Sequence, residues 1–180
     1  MIIIFEGPDK SGKSTLINNL QGIIMKNMYI PKDGSDGERW KYKHAYNIIL
    51  RVSRRFHDMP YNILMDRSYI SEMVYSLPRR NYEGIEDVYF RHCSSAFRKL
   101  DCIVIYCTAK DETLWERCLK HGDKDPSENE FKMIKERYER IFNDEKLKLS
   151  RRLIDTDKMS IEEAIDDIKY VIERLGGTTW

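Results

Sequence analysis

An α/β fold built on a parallel sheet is the class this sequence predicts, on three observations. Four short apolar runs are too brief for helices, rich in Ile, Val and Tyr, and mostly unalternating, as strands buried on both faces are. Helical apolar stripes lie between them, and strands that alternate with helices form a parallel α/β domain. A glycine loop joins the first run to the first helix.

The elements follow in order. Residues 2–5 (IIIF) read as the first strand, and Leu16, Ile17, Leu20, Ile23 and Ile24 then fall at helical spacing. A weaker strand is expected at 28–31 and a helix at 42–56. The next clear strand covers 61–65 (YNILM), and a helix over 85–100 leads into the long strand 100–107 (LDCIVIYC). Residues 128–142 carry Phe131, Ile134, Tyr138 and Ile141 on one helical stripe, and 151–155 (RRLID) is the last strand. The final helix has the clearest signals. Ser160 caps it, Glu163 completes a capping box, Ile161, Ala164, Ile165, Ile168, Val171, Ile172 and Leu175 make its stripe, and Gly176 ends it. Residues 31–40 and 120–129 are the expected mobile loops. A length of 180 residues suits one domain, so 1–180 is read as one.

Charge and cysteine usage narrow the classes. A net charge of +1 supplies no global basic field for nucleic acid or anionic membrane. Arg51, Arg54 and Arg55 with Lys41 and Lys43 keep a local nucleic-acid contact open. Cys93, Cys102, Cys107 and Cys118 show no CxxC spacing, and His44, His57, His92 and His121 form no HxxH pair, which argues against a zinc site and for reduced thiols. No run approaches a membrane span and the amino terminus opens directly on a strand, so the expected compartment is cytoplasmic.

Residues 7–14 (GPDKSGKS) satisfy GxxxxGK[ST], with a strand before and a helix after. Loop N–H groups would converge on an anion, Lys13 would reach the β- and γ-phosphates of a nucleoside triphosphate, and the Ser14 hydroxyl would ligate Mg²⁺. Gly7, Ser11, Gly12, Lys13, Ser14 and Thr15 are therefore the expected donor contacts. Asp66 and Arg67 stand directly off the strand at 61–65, where open α/β sheets bind their ligands. An acid there serves Mg²⁺ or takes a proton, and an arginine bridges donor and acceptor phosphates.

At these residues the chain resembles the thymidylate kinase family. FEGPDKSGKST is similar to the family's FEGxDxxGKST, and DRSYISEMVYS to its DRYxxSxxAYQ. The lid region around 111–142 and the terminal LIDTDKMSIEEAIDDI are similar in pattern. The resemblance implies a three-layer P-loop kinase fold with a central five-stranded parallel sheet and a small lid around 118–130. It implies transfer of the ATP γ-phosphate to a deoxynucleoside monophosphate, thymidylate or a related pyrimidine nucleotide. Asp9 matches the acid near the acceptor sugar, Tyr75 the aromatic near the acceptor, Ser71 the motif serine, and Arg117 a position against adenine. Lys10 stands where one branch of the family carries a catalytic arginine. That branch tends to lack lid arginines, and Lys120 and Lys124 are the basic residues in the lid here. The expected catalytic set is thus Lys10, Lys13, Asp66 and Arg67, with Ser14 and Asp66 on the metal. Asp9, Arg51, Arg67, Ser71 and Tyr75 are expected on the acceptor.

The departures fall in the acceptor motif. Ser68 replaces the usual Tyr and Ser76 the usual Gln, at positions expected to read the base. The acceptor-phosphate arginine stays open among Arg39, Arg51, Arg54 and Arg55, and the family's tendency to dimerise leaves a homodimer open. DRSYIS also resembles the ERSxxS of deoxynucleoside kinases, in which Asp66 would serve a 5′-hydroxyl acceptor. A kinase acting on a modified nucleotide or DNA is a further alternative. A non-enzymatic nucleotide switch is disfavoured, because no NKxD tetrapeptide follows the later strands.

Overall fold

The computed structural model describes residues 1–26, 47, 50–51, 54–55, 61–80, 87–121 and 127–177, with side chains given for all of these except 76–80. Strand β1 (Ile2–Glu6) leads through the glycine loop into α1 (Lys13–Asn18), followed by β2 (Ile23–Lys26) and β3 (Ile63–Asp66). Next come α2 (Tyr69–Arg80), α3 (Asp87–Arg98), β4 (Cys102–Thr108), α4 (Asp111–Lys120) and α5 (Glu128–Asn143). A 3₁₀ turn (Glu145–Leu147), β5 (Ser150–Asp155) and α6 (Ile161–Arg174) complete the order.

The five strands form one all-parallel sheet in the order β2-β3-β1-β4-β5. All five residues of β1 are buried, which explains the unbroken IIIF run. The pleat divides them between two cores. Ile2 and Ile4 pack with Tyr69, Phe97, Ile134 and Tyr138, under α2, α3 and α5. Ile3 and Phe5 pack with Leu16, Ile17, Ala164 and Ile168, under α1 and α6. Helices on both faces of the sheet make three layers. Because β1 is central, its carboxyl end opens between the ends of β3 and β4, and the glycine loop emerges there.

One expectation is corrected. Ile23 and Ile24 fit the helical spacing of the first stripe, yet α1 ends at Asn18 and both isoleucines lie in β2. A Cβ on Gly22 would come within 2.7 Å of the Asn62 carbonyl oxygen, so glycine lets the chain press against the start of β3. Ile23 N–H then donates to that same oxygen at 2.9 Å and the pairing begins. The half-exposed alternation of β2 suits an edge strand. Strands β1, β3, β4 and β5 and helices α3, α5 and α6 match their expected places to within two residues or so, including the capping box at Ser160 and Glu163, whereas α2 and α4 are helices that the apolar spacing does not mark. Residues 47, 50, 51, 54 and 55 are helical, inside the helix expected at 42–56. The strand expected at 28–31, the loop at 31–40 and lid residues 122–126 lie outside the described residues, as do Arg39, Lys41, Lys43 and Lys124. Among the described residues no helix is long and apolar enough to cross a membrane.

Candidate active site

The glycine loop turns tightly against the neighbouring strand. A Cβ on Gly7 would stand 2.1 Å from the Cys107 carbonyl oxygen, and Gly7 (φ +142°) and Gly12 (φ +87°) take conformations that side chains resist. Lys10 adopts a left-handed φ of 62° as well. Lys13 opens α1 with its side chain turned back under the loop. Its ammonium donates to the Gly7 carbonyl (2.9 Å), the Pro8 carbonyl (2.6 Å) and Ser11 Oγ (3.2 Å). Burial, reinforced by the nearby Arg67 cation, pushes Lys13 down to about 7 against the opposing pull of Asp9, Cys107 and Asp66. A polyphosphate that neutralises this ammonium removes that penalty. Ser14 and Thr15 are exposed beside it.

Arg67 approaches from the next strand. Its backbone N–H donates to the Phe5 carbonyl at 2.9 Å, which anchors it beside the end of β1, and its φ is 72°. One guanidinium nitrogen pairs with Asp9. The other donates to Tyr138 Oη (2.8 Å), the Gly7 carbonyl (3.2 Å) and Ser71 Oγ (3.4 Å). The guanidinium also lies over the Tyr75 ring, 4.9 Å from its centre. Burial works against its charge, but Tyr75, Tyr138, Asp9 and Glu6 together hold Arg67 well above its usual value. Asp66, half-buried at the end of β3, lines the same cleft.

Beneath Arg67 lies a carboxylate, Glu6, that the FEG motif contains but to which the sequence reading gives no role. Glu6 is 1% exposed. Its Oε1 accepts from Ser68 Oγ (2.7 Å), and its Oε2 accepts from Ser71 Oγ (2.6 Å) and Tyr138 Oη (3.1 Å). Burial pushes the Glu6 carboxyl up, against Ser71, Arg67, Ser68 and Tyr138, which favour its charged form. Ser68, expected to read a base, is fully buried and turned toward Glu6 instead. Ser71 is likewise engaged in this lower layer, and Tyr75 is 6% exposed beneath Arg67.

A third segment closes the other end. Thr156 stays beside β4 through N–H and hydroxyl bonds to the Thr108 carbonyl (2.8 and 3.1 Å), and its methyl group faces Gly12. Arg117 on α4 donates to the Lys10 carbonyl (3.3 Å) and Thr156 Oγ1 (3.0 Å), so it ties the glycine loop to the segment after β5. Asp157 accepts from Lys110 N–H and Thr113, and stands 3.6 Å from Arg117.

These parts enclose a cleft of about 690 Å³. Of the expected residues, Asp9, Lys10, Ser11, Gly12, Lys13, Ser14, Thr15, Asp66, Arg67 and Arg117 line it together. Gly7, Ser71 and Tyr75 support it from below or behind. Arg51, Arg54 and Arg55 are exposed on helical backbone and are not among its lining residues. Sequence reasoning missed His121, Met159, Ile161 and Ala164 as lining residues, although all follow the carboxyl ends of β4 and β5. Among the described residues, no group of three or more His, Cys, Asp or Glu could hold a metal ion. Oxygen donors among the cleft's lining residues include the Ser14 hydroxyl and the carboxylates of Asp9, which pairs with Arg67, and Asp66.

No protein-family model matches this chain, and no curated protein sequence matches it. Solved structures do. The YorR protein from Bacillus subtilis, in complex with phosphorylated GDP, has a TM-score of 0.77 at 23% identity, over 96% of each chain. Deoxyadenosine kinase from M. mycoides with bound dCTP has a TM-score of 0.60 at 16% identity, over 97% of this chain and 100% of that one. Thymidylate kinase from Candida albicans has a TM-score of 0.51 at 16% identity, over 96% of this chain and 91% of that one. At such identities the likeness is one of fold. The five-stranded parallel sheet with helices on both faces is the α/β fold of P-loop kinases.

Proposed function

We propose that this chain transfers the γ-phosphoryl group of ATP, with Mg²⁺, to the phosphate of a deoxynucleoside monophosphate, a pyrimidine nucleotide such as thymidylate. The observation that carries the reading is the convergence of Asp9, Lys13, Asp66 and Arg67 on one cleft, which continues past Arg117 to Met159 and Ile161. The apolar far end suits a donor base, and the charged near end suits phosphates. Fold likeness to a protein in complex with phosphorylated GDP, and to deoxyadenosine and thymidylate kinases, supports nucleotide chemistry.

The residues fit the metal. The Ser14 hydroxyl and the Asp66 carboxylate, both lining the cleft, would hold the ion as oxygen ligands of the kind that Mg²⁺ prefers. When bound, the ion supplies charge neutralisation on the donor phosphates. Lys13 and the loop N–H groups hold the donor, while Lys10 and Arg67 meet charge on the transferred group. Asp9 and Tyr75 place the acceptor, Asp9 through its pair with Arg67. A bond forms between an acceptor phosphate oxygen and the γ-phosphorus as the bond to the bridging oxygen breaks. That acceptor oxygen is ionised near neutral pH, so the transfer needs no strong general base.

Asp66 in the same cleft as Arg67 favours one second reading, a deoxynucleoside kinase whose base is Asp66. Product analysis with ATP, Mg²⁺ and a panel of nucleosides and monophosphates separates the two. Diphosphate products support the proposal. Products from nucleosides alone replace it, and Asp66→Asn then loses activity that rising pH restores. No product from any acceptor, with ATP bound, overturns both.

A further inference from the structure

We propose that Glu6 is a positioning residue for Arg67, holding through Ser71 and Tyr138 the two hydroxyls that fix the guanidinium in the cleft. The kinetic side of this inference rests on the phosphotransfer reading; its spectroscopic side does not.

Burying a carboxylate costs several kcal/mol unless its oxygens are satisfied, and an apolar residue would extend the IIIF strand at no such cost. Glu6 is instead met by hydroxyls from two segments far apart in the chain, the start of α2 and the middle of α5. Hydroxyls that donate to a carboxylate present their lone pairs on the opposite side. Ser71 gives its proton to Oε2, and Tyr138 shares its own between Oε2 (3.1 Å) and Ser71 Oγ (2.8 Å). The oxygens so oriented accept from Arg67, at 2.8 Å for Tyr138 and 3.4 Å for Ser71. The order from core to cleft is therefore Glu6, the hydroxyl pair, Arg67 and Asp9. Arg67 carries a left-handed φ of 72°, a conformation that persists where surrounding contacts over-determine it.

Glu6→Gln keeps the shape and reverses half the pattern. An amide nitrogen at the Oε2 position donates to Ser71 and Tyr138, and so takes the lone pairs that Arg67 uses. Placed at Oε1, it leaves the Ser68 hydroxyl without its acceptor.

The test compares wild type, Glu6→Gln, Arg67→Ala and the double variant by steady-state kinetics, together with the ¹H–¹⁵N signals of the Arg67 guanidinium. Glu6→Gln should lower kcat by about 10- to 100-fold, the scale of an ångström-sized misplacement, with KM for ATP little changed. In the Arg67→Ala background the same substitution should change kcat by less than about twofold, since the group it positions is gone. The guanidinium signals of wild type should be resolved and should broaden in Glu6→Gln. Tyr138→Phe, which keeps the ring against Tyr106, should loosen them too and serves if Glu6→Gln does not fold. Ser94→Ala breaks the Tyr69–Ser94 hydroxyl contact (2.8 Å) in the same core and reports a purely structural loss, with lower Tm but unchanged kcat and Arg67 signals. Independent effects of Glu6→Gln and Arg67→Ala on kcat, or Arg67 signals unmoved in both Glu6→Gln and Tyr138→Phe, overturn the inference. If wild type transfers no phosphoryl group, the phosphotransfer reading fails and the Arg67 spectrum alone decides the role of Glu6.

Discussion

Nucleotide binding should draw a proton onto Lys13, and pH is the perturbation that reveals it. With its ammonium pushed down to about 7, the ligand-free protein holds Lys13 about half neutral at pH 7 and about nine-tenths neutral at pH 8. Polyphosphate pairs with the charged form and raises its pKa, so binding at pH 8 should take up nearly one proton. Affinity should accordingly fall about tenfold per pH unit above 7, until the pKa of the bound lysine is reached. Phosphate's own second proton leaves near pH ~6, so the ligand contributes little in this window. Calorimetry of ADP binding at pH 8, in buffers of different ionisation enthalpy, reads the uptake directly. Lys13→Met should bind more weakly and take up no proton. Equal uptake by wild type and Lys13→Met, or none in wild type, refutes the reasoning. The same shift affects stability. A lysine depressed from 10.5 to about 7 leaves the unfolded chain holding a proton that the native state lacks between those values, so its contribution rises with pH. The full span is on the order of 5 kcal/mol. Buried Cys93 and Cys107, pushed up to about 12, oppose it once pH passes the ordinary thiol range.

Gly7→Ala should lower unfolding stability by more than about 3 kcal/mol in urea titration, because its Cβ cannot share space with the Cys107 carbonyl oxygen. Ser160→Ala removes one half of the capping box on α6 and should cost about 1 kcal/mol in the same assay. Arg117→Ala releases the glycine loop from Thr156 and should raise KM for ATP about tenfold, with a smaller change in kcat. Asp66→Asn should increase the Mg²⁺ concentration needed for half-maximal rate, measured by metal titration at fixed ATP.

Much of the site is local in sequence and was legible for that reason. The glycine loop is eight contiguous residues, and Asp66 and Arg67 stand together at one strand end. The lower layer is not local. Glu6 meets Ser68 across 62 residues and Tyr138 across 132, and Tyr138 reads in sequence as one more apolar residue of a helical stripe. Ser68 sits inside a motif whose neighbours face the cleft, while its own side chain turns inward, a direction that spacing alone does not reveal. The misreading of Ile23 and Ile24 has a similar origin. Their spacing from Leu16 and Leu20 satisfies a helix, and only the approach of Gly22 to Asn62 shows that the chain has already turned into the sheet.

The central claim is that Lys13 and Arg67 hold two phosphate groups in line across one cleft. ³¹P NMR of ATP and Mg²⁺ with a deoxypyrimidine monophosphate tests it most directly. The account predicts ADP together with the β-phosphate resonance of the acceptor's diphosphate, both formed far more slowly but still measurably in Arg67→Ala although ATP still binds. ATP that binds and stays intact, or that yields only inorganic phosphate whichever monophosphate is present, would contradict it.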